Sequence, residues 1–411
     1  VRNYTAFGLF ILAVIMPCSN SQAYLFEIHP GVHAAYEYTD NYFGSSVNQR
    51  SDSIYEVGPR IGLRLATPTT NATLDGFVTK SFHNRVRRDD TTEASLASAA
   101  TISGLRQTLE LTYAYLQTTR RATLAEPPGL SKTHSAGASY TRELTSFTTV
   151  SLGYDYTDYK PDLDEDELTQ AARIRLTHLL TPRNSIDLTY EYDYYQYEIT
   201  PNANVSNAGL AWNYTVTPRL VLGLSSNYRK QNRTDLPDED IYDVMSNGTY
   251  SLTQYTRFSA SVGESWLVTE HNDRQNIYSL SASVEYAFAQ DRVAVSVSKG
   301  YSAEFTSNLY GIYDTKRASL ALQKGILSTL IGIINLDIVR TIPAFDTTGI
   351  IIPVLISRTE EETDIVARAT LEWTPVRYIT ARAIYEHLQH DFEITDTERE
   401  NRYRMEVEVQ Y

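Results

Sequence analysis

The sequence predicts an all-β fold: a transmembrane, antiparallel, up-and-down β-barrel of about 20 strands, 18 to 22 being accommodated, with no plug domain. Three observations carry this expectation. Polarity alternates strictly along nearly the whole chain, tight and long connections succeed one another, and the last segment keeps the alternation to an aromatic final residue. The pattern is plainest in 184–194, Asn-Ser-Ile-Asp-Leu-Thr-Tyr-Glu-Tyr-Asp-Tyr. Successive side chains of a strand point to opposite sides, so Ile186, Leu188, Tyr190, Tyr192 and Tyr194 share one face. Ser185, Asp187, Thr189, Glu191 and Asp193 share the other. A soluble sandwich also alternates; the recurrence and the two chain ends favour the barrel.

Composition narrows the choice. A chain of 411 residues is long for one soluble sandwich. A hydrophobic content of 42% is too low for a bundle of membrane helices, whereas a barrel needs apolar residues only at alternate positions. The net charge of −14 argues against a nucleic-acid partner, which would require clustered Lys and Arg. Arg2, the apolar run Phe7–Met16 and the small residues of Ser21-Gln22-Ala23 read as a secretory signal, so residues 1–23 are expected to be cleaved and 24–411 to form the barrel. The one cysteine, Cys18, falls in that leader, which leaves no thiol or Cys-based metal site in the remainder, and no cofactor is expected.

In chain order, alternating segments include Leu109–Tyr115, Val150–Thr157, Leu210–Val216, Tyr278–Phe288 and Val293–Ser298. Tight connections are expected at Thr67-Pro68, Thr181-Pro182-Arg183, Thr217-Pro218-Arg219 and Thr374-Pro375-Val376, because Pro presets a turn and stops a ladder. Others of this class fall near Gly104, Leu144–Ser146, Gln254–Thr256, Gln290–Arg292 and Gly325–Ser328. Longer acidic loops are expected at Lys160–Glu167, Arg233–Asp240, Glu270–Arg274, Ser307–Gly311 and Asp391–Asn401. Within Gly325–Val339, Leu330, Ile334, Leu336 and Ile338 share a strand face, and Asn335 and Asp337 rule out a spanning helix. Gly349–Ile356 is apolar where an outer loop belongs, and is read as a prolonged strand end or a loop entering the lumen. In the closing strand Tyr403, Met405, Val407, Val409 and Tyr411 face out and Arg404, Glu406, Glu408 and Gln410 face in, the form of an assembly signal. Such a strand must pair with the first, since an open edge in lipid leaves backbone groups unbonded.

Tyr38-Thr-Asp-Asn-Tyr-Phe43, followed by Ser51-Asp-Ser-Ile-Tyr-Glu-Val-Gly-Pro-Arg-Ile-Gly-Leu-Arg64, resembles the opening of the outer-membrane β-barrel porin 2 family, which includes barrels of exopolysaccharide and exosortase loci. The resemblance implies a pore serving polysaccharide export or envelope assembly, and no catalytic residues.

The side chains expected in the lumen are Glu110, Asp155, Arg175, Asp187, Glu191, Asp193, Glu285, Asp337, Arg368, Glu372, Glu406 and Glu408. Charges around a pore set which solutes pass, and this set is acidic on balance, which favours cations or neutral sugars over anionic polymers. The many Tyr residues are assigned mainly to the lipid face. The acidic runs Asp162–Glu167 and Glu360-Glu361-Glu362 read as solvated loops, because they lack the spacing of a calcium loop. His134 and Ser135 are neighbours that a strand turns to opposite faces, so no enzyme is expected. The expectation is a passive conduit of a Gram-negative outer membrane with both termini in the periplasm. Its expected partners are lipid, lipopolysaccharide, the barrel assembly machinery, and polysaccharide with its export components. A general diffusion porin and an adhesive or structural barrel stand as alternatives.

Overall fold

A computed structural model describes residues 25–42, 50–85, 91–120, 129–162, 165–198, 201–234, 236–269, 274–305, 310–343, 362–392 and 397–410. The expected leader, Gly349–Ile356 and Tyr411 lie outside the described residues. The chain forms β1 (Leu25–Thr39), β2 (Asp52–Ala66), β3 (Thr70–His83), β4 (Thr91–Ser103) and β5 (Gln107–Arg120). Next come β6 (Gly129–Thr145), β7 (Thr148–Pro161), β8 (Glu167–Thr181), β9 (Asn184–Tyr197) and β10 (Ala203–Thr217). These lead to β11 (Leu220–Arg233), β12 (Leu236–Ser251), β13 (Thr256–Thr269), β14 (Arg274–Phe288) and β15 (Asp291–Phe305). The last are β16 (Tyr310–Leu327), β17 (Leu330–Pro343), β18 (Glu362–Val376), β19 (Ile379–Phe392) and β20 (Glu398–Gln410).

All twenty belong to one sheet in which each strand pairs antiparallel with its chain neighbours. Gly31–Thr39 of β1 then pairs with Arg402–Gln410 of β20 and closes the ring. A strand spacing of about 4.8 Å and a tilt of about 40° make such a ring roughly 40 Å across. Among the described residues there is no helix and no element inside the barrel.

Leu25 at the start of β1, Gln410 at the end of β20 and the tight turns share one rim. Thr67 caps its turn, its hydroxyl accepting from the N–H of Thr70 at 2.9 Å, and Thr217 and Thr253 do the same for Leu220 at 3.1 Å and Thr256 at 3.0 Å. Between β14 and β15 the reversal takes two residues, with Ala289 at φ 55°, a left-handed conformation that no glycine announces in the sequence. Three expected connections are corrected. Pro375 sits in a bulge at the end of β18, and Arg377–Tyr378 make the turn. Arg233–Asp240 is largely strand, since Gln231↔Glu239 and Lys230↔Asp240 continue the hairpin. Of Asp391–Asn401, the first two residues still belong to β19 and Glu398–Asn401 to β20.

Gly58 is needed for close approach. At Gly58-Pro59 the β2–β3 ladder has a gap, because Pro59 has no N–H to give. There a Cβ on Gly58 would run into the backbone carbonyl of Val78. Gly58→Ala is therefore expected to destabilise the barrel by roughly 1–3 kcal/mol, read as a lower urea midpoint with an unchanged slope.

The two faces of the sheet differ in chemistry. One is the more enclosed, and carries Glu37 at 6% exposure and Ser265 at 1%; the other carries Tyr403 at 50%, Met405 at 65% and Val262 at 57%. In a closed ring the enclosed face is the concave, inner one. All seven lysines (Lys80, Lys132, Lys160, Lys230, Lys299, Lys316 and Lys324) fall on the outer face, whereas the bases paired across the inner face are arginines and histidines. On the outer face Tyr36, Tyr55, Tyr115, Tyr228 and Tyr242 occupy a level toward the loops. Tyr214, Tyr250, Phe258, Phe288 and Trp373 lie nearer the tight turns, with aliphatic residues between the two levels.

Candidate functional site

The inner wall is the candidate site, and strand parity builds it. Residues two apart on a strand share a face, and antiparallel register passes that face from strand to strand. All twelve side chains expected in the lumen fall on this inner face. Glu110 stands level with Ser139 and Asp155 with Gly137, while Asp187, Glu191 and Asp193 share one face of β9. Glu285 faces Arg257 across the ladder.

What alternation leaves unread is the pairing. Arg404 of β20 reaches Glu56 at 2.7 Å, Glu37 at 3.2 Å and Glu406 at 2.5 Å, so one guanidinium joins three strands. Arg60 bridges Asp75 at 2.9 Å and also contacts Glu408, spanning β1 to do so. Arg382 holds Glu372 at 2.8 Å and lies 3.7 and 3.8 Å from Glu406 and Glu408. Toward the loops, Arg402 takes Glu400 at 2.6 Å and Glu386 at 3.5 Å, and Arg368 takes the same Glu386 at 2.8 Å. These pairs form a continuous ladder from β18 through the closing seam to β3. A planar guanidinium with five donors suits such shared contacts, which the point charge of lysine would not.

A second ladder stands on β7–β9. Arg173 joins Asp155 and Glu191, and Arg175 holds Asp187 at 2.9 Å, with Thr177 Oγ1 donating to the same carboxylate at 2.6 Å. Arg317 pairs with Asp337 at 2.6 Å. Between the charged sectors the wall is neutral and hydroxyl-rich: Ser261 meets Ser281 at 2.6 Å, Ser296 meets Ser319 at 2.6 Å and Thr249 meets Ser259 at 3.3 Å. Arg60, Arg173, Arg317 and Arg382 were not among the sequence-derived candidates. Their parity with neighbouring inner residues is the signal that finds them.

Enclosure varies along the wall. At the loop end of β9–β13, Tyr197, Val205, Gln231, Ile241 and Leu267 are at most 6% exposed although all face inward. Near the same rim on β18 and β19, Glu362, Asp364 and His390 bring ligand atoms within 4.8 Å of one another, with His390 Nδ1 2.6 Å from Asp364. Two carboxylates and an imidazole could hold a divalent transition metal. His134 lies on the outer face, its Nδ1 3.1 Å from the Tyr113 hydroxyl, while Ser135 lies on the inner face, so the two do not meet.

No family model and no curated protein matches this sequence. Solved structures do match in shape. The ferric enterobactin receptor PfeA of Pseudomonas aeruginosa, in a mutant form, is 8% identical with a TM-score of 0.53, over 94% of this chain and 80% of that one. The FrpB iron transporter of Neisseria meningitidis is 11% identical with a TM-score of 0.51, over 97% and 82%. OccAB4 of Acinetobacter baumannii is 11% identical with a TM-score of 0.44, over 96% and 100%. Identities this low speak to the fold alone, a large antiparallel barrel. The chemistry of the wall must be read from this chain.

Proposed function

We propose that the chain is a passive, water-filled pore of a bacterial outer membrane, with the tight-turn rim and both chain ends in the periplasm. The carrying observation is the division between the faces: charged and hydroxyl groups inside, and outside an aliphatic belt between two levels of aromatic rings. Hydrocarbon tolerates the second surface and only water tolerates the first. Barrels of 16–18 strands already leave an aqueous channel, so a ring of twenty strands has room for one.

Small hydrophilic solutes, cationic or uncharged, fit the wall best. Carboxylates outnumber arginines on the inner face, which draws cations into the bore. Export of an uncharged polysaccharide is the second reading, carried by the Tyr38–Phe43 resemblance. A specific observation favours diffusion of small solutes: all three tryptophans and most tyrosines face outward, so the wall offers few rings for sugar stacking. In planar bilayers the purified protein is expected to give discrete conducting steps. Under a potassium chloride gradient it should give a reversal potential of cation-selective sign. A silent membrane or anion preference overturns the reading.

A further inference from the structure

At the loop end of the barrel, the register of β18 and β19 sets Asp364 directly opposite His390, and Glu362 lies two residues back along the same strand. Residues two apart on a strand share a face, so all three side chains belong to the inner wall. Their ligand atoms, one from each residue, lie within 4.8 Å of one another, and His390 Nδ1 is 2.6 Å from Asp364 Oδ1. On the other side of His390, β20 places Glu398 directly opposite. Asp364, His390 and Glu398 thus form one row across three bonded strands, with Glu362 one step nearer the loops. Strands hold such a set more firmly than a loop would, because the backbone ladders fix the spacing. Glu362 is enclosed at 6% exposure, whereas the Asp364 and His390 side chains keep 34% and 40%, which gives an ion a way in from the water of the bore.

We infer that Glu362, Asp364 and His390 bind one divalent transition-metal ion of the zinc type at the loop-end mouth of the barrel. The inference goes beyond the pore reading and does not rest on it, since it needs only the strand register and these side chains. A tetrahedral zinc ion with ligands at about 2.0–2.1 Å sets them about 3.4 Å apart. The ion takes the place of the hydrogen that His390 and Asp364 share, and side-chain rotations of about an ångström bring the remaining separations to that value. An imidazole nitrogen separates this set from a calcium or magnesium site, which takes oxygen ligands. Three protein ligands leave a fourth position for water. Glu398, on the far side of the imidazole, is placed to favour the metal-bound ring electrostatically. Among the described residues no second group of three His, Cys, Asp or Glu ligands comes this close, so one ion per chain is expected.

The test is isothermal titration calorimetry of the full, untagged barrel in detergent, freed of metal with a chelator, with the chlorides of zinc, calcium and magnesium as probes. Zinc is expected to bind at about one ion per chain, and a roughly ten-fold excess of calcium or magnesium should not displace it. His390→Asn and Asp364→Asn should each lower zinc affinity at least about ten-fold. His387→Asn, at an outer-face histidine of the same strand, should leave it unchanged. No zinc binding, undiminished affinity in the His390 and Asp364 variants, or displacement of zinc by calcium overturns the site. Should either variant not fold, Glu362→Gln takes its place with the same expected loss, and the wild-type contrast of zinc with calcium still decides. A barrel that conducts without binding zinc refutes this site alone. One that binds zinc without conducting refutes the pore alone.

Discussion

Arg404→Gln is expected to lower the unfolding free energy by roughly 2–3 kcal/mol and to sharpen cation preference in single-channel recordings. Its guanidinium is shared by Glu37, Glu56 and Glu406, and the side chains of Glu37 and Glu56 are 8% and 14% exposed. Glutamine of similar size removes the one cation that all three carboxylates share. Breaking a fully buried pair costs about 3–5 kcal/mol, and the lower figure applies because the Arg404 side chain keeps 26% of its surface exposed. Glu37 pairs across the closing seam, so the loss should fall on closure. Urea titration of the folded barrel in detergent measures the first effect, and reversal potentials measure the second. An unchanged urea midpoint would show that water in the bore already screens the cluster.

Leu336→Arg is the larger perturbation of the outer face. Leu336 sits level with Leu320 and Val295 in the middle of the aliphatic belt, where a charge meets hydrocarbon on every side. A guanidinium at the midplane of a lipid-facing wall costs roughly 2–4 kcal/mol, falling to about zero near the interfaces. Reversible folding into lipid vesicles should register that loss. The neighbouring inner-face change Asn335→Arg, one residue along the same strand, should cost little, because its side chain enters the wet bore. Equal costs at the two positions would mean that the outer face does not meet lipid, and the membrane reading would fall.

The fold was legible in the sequence because period two is a local property. Ile186 to Tyr194 declare one face and Ser185 to Asp193 the other without any knowledge of the partner strands. The same rule set all twelve inner candidates on one side. Loop boundaries were less legible where strands run beyond the oily band. Asp238, Glu239 and Asp240 look like an acidic loop, yet they extend a hairpin, and Asp240 accepts from the Tyr228 hydroxyl at 2.9 Å. Polarity marks contact with water rather than the end of a ladder. The arginine ladders were illegible for a different reason: Arg60 and Glu408 are separated by 348 positions and meet across an intervening strand, which only the closed register reveals.

Closure by β1 against β20 has an arithmetical consequence. Two antiparallel neighbours must run opposite ways all the way round, so the ring exists only with an even strand number. Dropping a single strand would leave the first and last running in the same direction, unable to bond as they do here. Excising an adjacent pair with its connecting bend would leave a smaller ring that still shuts. Ancestors and descendants of this chain are therefore free to grow or shrink in twos, with bore width changing in steps rather than continuously.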